Sequence, residues 1–457
     1  MSTLLFRAQR YGIISALAMI ASTGIAQSSP VIKTQIVGPW SIAVSVENHG
    51  SDRLAKAEKT FTIKPAEVVT VTGEEVTDVP VYNKMADKWS RGERPDGIKA
   101  CESTQPEALI PSSFTMSTKS GLSLLRGKDF DLENQWGVFG RLPGGKLHAH
   151  EPVTISYRYY LQRIDSIYQE KAGGLGFQEG ISRIGTPLPP TLPDGARRLV
   201  NIWIENGNEG ALQSTNIFQI TEDQPPRDRE LHLDKVREML PKTIKKLEQG
   251  KPIAILAWGD SVTDGACLSN KSDGWQHVFV RRLQAQYPKA RITLHTEAWP
   301  AHNTESYLEA PPGTPHNFQD SVLALHPDLV ISEFVNDASL SAAETKARYS
   351  FLLTKFQAIQ AEWIILTPAY TSLWMGEQNW RGYSDQHFLD EDPRPYVVVL
   401  RQFSGKRGVV IADAAMRWGR LWRQGIPYTT LLLNSINHPD ARGHKIYADS
   451  LLALFTG

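Results

Sequence analysis

The sequence predicts a two-part protein: an antiparallel β-sandwich of jelly-roll type, followed by an α/β unit on a parallel, doubly wound sheet. Three observations carry this prediction. Period-two alternation of apolar and polar residues recurs between turn signals from about residue 30 to 220. Beyond residue 250, short apolar runs alternate with segments of helical periodicity. Each of those runs ends in small or polar residues, and in an open α/β sheet such ends gather along one edge.

The chain opens with a pattern that predicts export. Arg7 and Arg10 form a basic start, an apolar stretch runs from Tyr11 to about Ile20, and small residues end at Gly24-Ile25-Ala26. This is the layout of a signal peptide over residues 1–26, cleaved after Ala26. The apolar run falls short of the roughly 20 residues a spanning helix needs. No later stretch is apolar enough to cross a membrane, so no integral segment is expected once the signal is removed. The expected location is periplasmic or secreted.

Residues 30–222 are read as the β-sandwich. Ile42, Val44 and Val46 alternate with Ser41, Ala43 and Ser45; Val153, Ile155, Tyr157 and Tyr159 alternate with Thr154, Ser156 and Arg158. Val200, Ile202 and Ile204 alternate with Asn201, Trp203 and Glu205. Asp78 to Ser113 breaks the pattern, being polar and rich in charge, and is read as a long loop or insertion. This half is either a carbohydrate-binding or substrate-shaping module, or a structural partner that completes the fold; it shows no catalytic constellation of its own.

Residues 223–250 are read as a helical linker. Leu231, Val236, Leu240, Ile244 and Leu247 have amphipathic spacing, Pro241 bends or restarts the helix, and Gly250 stops it. Residues 251–457 are the α/β unit. Its strands are expected at the run from Ile253, at Arg291–Thr296, Asp328–Ser332, Trp363–Leu366 and Gly408–Ile411. Helices are expected at Gly274–Tyr287, Ala342–Gln360 and Asp440–Leu454.

Formal net charge is zero, so composition offers no ground for a nucleic-acid partner. No Cys/His cluster has zinc-site spacing, and no metal or organic cofactor is implied. Cys101 and Cys267 are the two cysteines; they lie in different predicted domains and either pair or remain separate thiols.

The chemistry is sought at the strand ends. Ser261 follows the first strand in Trp258-Gly259-Asp260-Ser261-Val262-Thr263-Asp264-Gly265. The same residues also suit a plain turn. The second strand leads to Trp299-Pro300-Ala301-His302-Asn303, the third to Glu333-Phe334-Val335-Asn336-Asp337, and the chain later reaches Asn434-Ser435-Ile436-Asn437-His438-Pro439. Convergence would bring together a serine hydroxyl, a histidine to accept its proton, and the Ser261 N–H, Ala301 N–H and Asn336 amide as oxyanion donors.

These four segments resemble the sequence blocks of the SGNH (GDSL-type) hydrolases, over about residues 252 to 457. Gly259-Asp260-Ser261 resembles the first block and Val335-Asn336-Asp337 the third. His438-Pro439 with Gly443-His444 and Ala448 resembles the last. The resemblance implies a flavodoxin-like three-layer α/β/α domain with Ser261 as nucleophile and His438 as base. There are three departures. Ala301 stands where the family has an oxyanion glycine; its N–H serves if φ is negative there. Phe334 stands where Gly is usual. Ser435 stands where the family has the Asp that orients the histidine. Ser435, Asn434 or a backbone carbonyl could orient the ring; the pair then either works as a Ser–His dyad or takes a carboxylate from elsewhere, with Glu333 and Asp337 as possible sources.

Aromatic residues among amides and hydroxyls between Thr367 and Tyr396 (Tyr370, Trp374, Trp380, Tyr383, Phe388) suit sugar rings or form core under a long loop. Trp374, Trp380, Trp299 and His302 are the candidate substrate contacts; His444 is read as packing. The expected function is an exported serine esterase that removes acetyl groups from a polysaccharide or oligosaccharide, with an acetylated glycan as substrate. The alternatives are a lipase, thioesterase or peptidoglycan O-acetylesterase of the same fold, or a non-catalytic glycan-binding protein.

Overall fold

A computed structural model describes residues 31–47, 56–207, 210–225, 230–372 and 388–456. The expected signal sequence lies outside them, as do Trp374, Trp380 and Tyr383.

The α/β half is built on a five-stranded parallel sheet. Across the sheet the order is Arg291–Ala298, Pro252–Gly259, Leu329–Glu333, Glu362–Leu366 and Val410–Ala412. In chain order that is 2-1-3-4-5, the flavodoxin-like arrangement, whose order reverses between the first and third strands. The inner strands are covered on both faces, which is why Pro252–Gly259 and Leu329–Glu333 read as largely apolar runs, whereas the edge strand Arg291–Ala298 is mixed and less buried. Ile255, Ala257, Leu329, Ile331 and Ile364 enter one core, with Phe279 and Leu451 from the helices on that side. Leu256, Trp258, Val330 and Ile365 enter the other, with Leu352, Phe356 and Leu400.

The predicted strands are found within two residues at each end, and the predicted helices become Trp275–Gln286, Ala342–Ala358 and Ala441–Ala453. The helix Pro395–Arg407 was not foreseen. The linker stretch forms two helices, Leu233–Met239 and Pro241–Glu248. Pro241 restarts the chain at the first helical position, where its missing N–H costs no hydrogen bond, and Gly250 follows with φ +66°. These helices are not a free tether: Val236, Leu240, Ile244 and Leu247 are buried in the same core as Ile253 and Ile255.

In the N-terminal half every strand ladder among the described residues is antiparallel. It encloses two cores. Ile42, Val44, Val46, Phe61, Ile167, Val200, Ile202 and Ile204 form one, between a three-stranded and a four-stranded sheet. Phe114, Met116, Phe130, Phe139, Val153, Ile155 and Tyr157 form the other. The chain passes between their sheets at Gln162, where strand Val153–Leu161 gives way to Arg163–Gln169.

The strand Arg197–Ile204 ties this half to the α/β half. Its apolar set faces the β core, as the alternation predicts. Its other face is covered rather than wet. Asn201 Nδ2 donates to the Gly425 carbonyl at 2.6 Å, and Trp203 clusters with Ile164, Phe218, Phe388 and Trp422. Phe388 stacks on Phe218 with ring centroids 5.5 Å apart, so it joins the two halves. Tyr370 is fully buried in the α/β core, edge-on to Tyr428, and is packing rather than a sugar platform.

Candidate active site

The first strand must turn sharply at Gly259. A Cβ there would sit 2.1 Å from Thr263 Oγ1 and 2.4 Å from the Glu333 carbonyl oxygen, so only glycine fits. Asp260 then caps the short helix Ser261–Asp264, its carboxylate accepting from the Val262 N–H at 3.1 Å. Ser261 is the first residue of that helix, so its own N–H has no intrahelical acceptor. The other Asp260 oxygen accepts from the Asn336 N–H at 2.9 Å. One buried carboxylate thus holds the ends of the first and third strands together at the point where strand order reverses.

Asn336 donates one side-chain N–H to the His302 carbonyl at 3.1 Å, leaving the second amide proton for a ligand. Asp337 ties the same two loops together. It accepts from Thr304 N–H at 3.1 Å, from Thr304 Oγ1 at 2.9 Å and from Tyr349 at 3.3 Å. The Ala301 and Asn336 loops are therefore fixed relative to each other.

Ala301 differs from its sequence expectation. Its φ is +63°, not negative. This is the left-handed region that glycine adopts freely, and an alanine held there is strained by roughly 1 kcal/mol. The backbone has kept a glycine's conformation under a different side chain, so the direction of its N–H is decided by the loop.

His438 sits on a turn wound around Asn434. The Asn434 side-chain oxygen accepts from the N–H groups of Ile436 at 3.0 Å, Asn437 at 2.9 Å and His438 at 2.9 Å. His438 Nε2 lies 2.8 Å from Ser261 Oγ. Its Nδ1 lies 3.0 Å from an oxygen of Glu102, a residue of the N-terminal half. A proton on Nδ1 facing this carboxylate leaves Nε2 free to accept from the serine hydroxyl. The hydrogen bond from His438 holds the Glu102 carboxyl below its ordinary range.

None of the four residues considered from sequence pairs with the histidine ring. Ser435, at φ +54°, instead donates to Gln105 Oε1 at 2.9 Å. Asn434 acts one step removed: its amide donates to the same Glu102 oxygen at 3.3 Å. Asp337 is committed to Thr304 and Tyr349, as described. Glu333 accepts from Thr263 Oγ1 at 3.3 Å and from Tyr447 at 3.4 Å.

Glu102 belongs to the Asp78–Ser113 stretch that reads as an insertion, and the segment from Cys101 to Gln105 is strapped across the His438 turn. The Cys101 N–H donates to the Leu433 carbonyl at 3.5 Å, and Ser103 Oγ donates to the Asn434 carbonyl. Cys101 and Cys267 form a disulfide. Behind this strap, Trp136 and Val138 pack on Ile436. The N-terminal half shows no catalytic constellation in its sequence, yet it places Glu102 beside His438, and a lone Glu in a polar loop carries no motif.

Trp299 is partly buried beside two histidine rings. His302 stacks on it with centroids 3.8 Å apart and His316 at 4.7 Å, their planes within 16° of its own. His302, whose Nδ1 is 2.8 Å from the Pro300 carbonyl, is the outer ring beside the oxyanion loop. His444 is buried, with Nδ1 accepting from the Trp275 N–H at 3.2 Å, and burial drives its basicity down to about 3. It is a packing residue.

Burial raises three carboxyls under the site: Asp260 to about 7 and Asp337 to about 6, while Glu333 rises well above its usual range, helped by the charge of Asp260. Such groups keep protons in the folded chain that the unfolded chain releases near pH 4. Their contribution to stability is complete below that pH and is lost as pH rises through the folded values. Glu333→Gln should therefore gain stability relative to the parent by about 1 kcal/mol or more between pH 5 and pH 8. Urea unfolding at both pH values measures this; a pH-independent difference would refute it.

Residues 257–446 match the GDSL-like Lipase/Acylhydrolase family. No curated protein matches the chain. Among solved structures, a two-domain esterase (CEX) active on acetylated mannans, co-crystallised with mannopentaose, is 13% identical with a TM-score of 0.38. The match covers 48% of this chain and 53% of that one. The present chain therefore spans about half the length of that relative. An Axe2 mutant, an acetyl-xylooligosaccharide esterase from Geobacillus Stearmophilus, is 20% identical with a TM-score of 0.35, over 45% of this chain and 95% of that one.

Proposed function

Residues 257–446 form a GDSL-like lipase/acylhydrolase domain, and from that premise we propose that the protein is an exported serine esterase that removes acetyl groups from a polysaccharide or oligosaccharide. The observation that carries the reading is the line Ser261 Oγ, His438, Glu102, with separations of 2.8 and 3.0 Å. The serine oxygen attacks the ester carbonyl while His438 Nε2 takes its proton. The Ser261 N–H and the second amide proton of Asn336 receive the oxyanion. His438 then gives the proton to the sugar oxygen as its bond to the acyl carbon breaks, the sugar leaves as the alcohol, and water releases acetate from the serine by the same steps. Glu102 keeps the imidazole oriented and stabilises it while charged.

A small acyl group and a polar alcohol agree with the surroundings. Glu102, Gln105 and the half-exposed His302 flank the site with polar atoms and a flat ring face, which suit a sugar better than an alkyl chain. Export agrees with the basic and apolar start of the sequence and with a cross-domain disulfide. No helix among the described residues is long and apolar enough to cross a membrane. The test is hydrolysis of p-nitrophenyl esters of increasing chain length, together with acetate release from acetylated xylan and mannan. Acetyl should be preferred over octanoyl by about tenfold or more in kcat/KM. Preference for octanoyl would favour a lipase or thioesterase, and no turnover of any ester would favour a glycan-binding protein.

A further inference from the structure

The Cys101–Cys267 disulfide lies against the proposed catalytic histidine. Cys267 Sγ is 3.3 Å from His438 Nδ1, the nitrogen that also faces Glu102 at 3.0 Å. A sulfur, an imidazole nitrogen and a carboxylate oxygen thus converge within 4.8 Å of one another. Around a tetrahedral zinc ion, sulfur and nitrogen ligands are separated by roughly 3.5 Å, and nitrogen and oxygen ligands by about 3.3 Å. The two separations that involve the nitrogen are already within a few tenths of an ångström of these values, and the sulfur and the carboxylate oxygen lie within 4.8 Å of each other. What prevents coordination is the S–S bond, since the metal ligand is a thiolate.

We propose that reduction of this disulfide uncovers a zinc-type site made of Cys267, His438 and Glu102, and that a divalent zinc-class cation bound there silences the esterase. A dithiol supplies the two electrons and two protons that convert the disulfide to two thiols, and itself leaves as a disulfide. The cation then replaces the Cys267 thiol proton, which passes to solvent. Coordination through Nδ1 puts the ring's remaining proton on Nε2, which then donates toward Ser261 and is unable to accept from it. Half of the Glu102 side chain is exposed, so a water molecule can reach the fourth position. The inhibition rests on the functional reading of His438; the binding does not.

The test uses cobalt(II), whose thiolate charge-transfer absorption reports sulfur coordination, and zinc chloride as the inhibitor. Cys101→Ser leaves the Cys267 thiol free without any reductant. It should bind one equivalent of cobalt with a thiolate band, whereas the oxidised parent and Cys101→Ser/Cys267→Ser should show none. Adding His438→Ala or Glu102→Gln to Cys101→Ser should weaken binding by about tenfold or more. One equivalent of zinc should lower p-nitrophenyl acetate turnover by Cys101→Ser at least about tenfold, reversibly with EDTA. If Cys101→Ser fails to fold, the parent reduced with a dithiol and desalted takes its place. Lack of a thiolate band in the free-thiol protein, or a band indifferent to His438, overturns the site. If no protein turns over any ester, the esterase reading fails and the cobalt band still decides the site.

Discussion

Ser261→Ala and His438→Ala are each expected to lower kcat for p-nitrophenyl acetate by about 10⁴-fold or more. In the proposed reaction the serine oxygen is the atom that bonds to the acyl group, and it lies 2.8 Å from His438 Nε2. Without the histidine, the hydroxyl has no acceptor for its proton at the moment of attack. The two act as one unit, so the double variant should be little worse than either single one. Steady-state kinetics on the three variants and the parent, with a circular dichroism check on folding, decides the matter. Equal background rates in all four proteins would remove the esterase reading for this ester.

Glu102→Gln should lower kcat by roughly 10²–10³-fold with KM changed little. The amide is nearly isosteric, but it has no charge to stabilise the imidazolium and can present an N–H to Nδ1, favouring the wrong tautomer. Glu102→Asp should recover part of the loss, because the charge survives at a shorter reach. Ser435→Ala should be much milder, since its hydroxyl is spent on Gln105. A purely structural strap would behave differently: Glu102→Gln and Glu102→Asp would then be equally mild, and KM would move with kcat. The same comparison separates Glu102 from the acid expected three residues before His438. The strap brings the Glu102 carboxylate to His438 from the other half of the chain.

The α/β half was legible because its signals are local. An apolar run buried on both faces of a parallel sheet must be continuous, and Ile253 to Trp258 is. A nucleophile at a strand end must sit on a sharp turn, and Gly259-Asp260-Ser261 spells one. His438 was a candidate because it stands before a proline and a closing helix in a segment that resembles the family's last block, and the fold brings its Nε2 to 2.8 Å from Ser261 Oγ. The antiparallel half was legible as a class from its alternation. The hidden side of Arg197–Ile204 was not, because Asn201 and Trp203 read as a solvent face until another domain covers them.

What the tertiary structure alone decided are the contacts with no sequence neighbourhood. Glu102 reaches His438 because the Cys101–Gln105 strap lies across the Asn434 turn, and nothing in a glutamate flanked by cysteine and serine announces that. The disulfide depends on a Cα separation of 5.7 Å across two domains, which spacing along the chain does not encode. The left-handed backbone at Ala301 is imposed by its loop against the residue's own preference. The sequence by itself determined the fold class and the family resemblance, since each rests on periodicity or a short motif, and it singled out Ser261 and His438 as candidates. Which carboxylate faces His438 was decided by packing between two halves, a long-range property that no local pattern records.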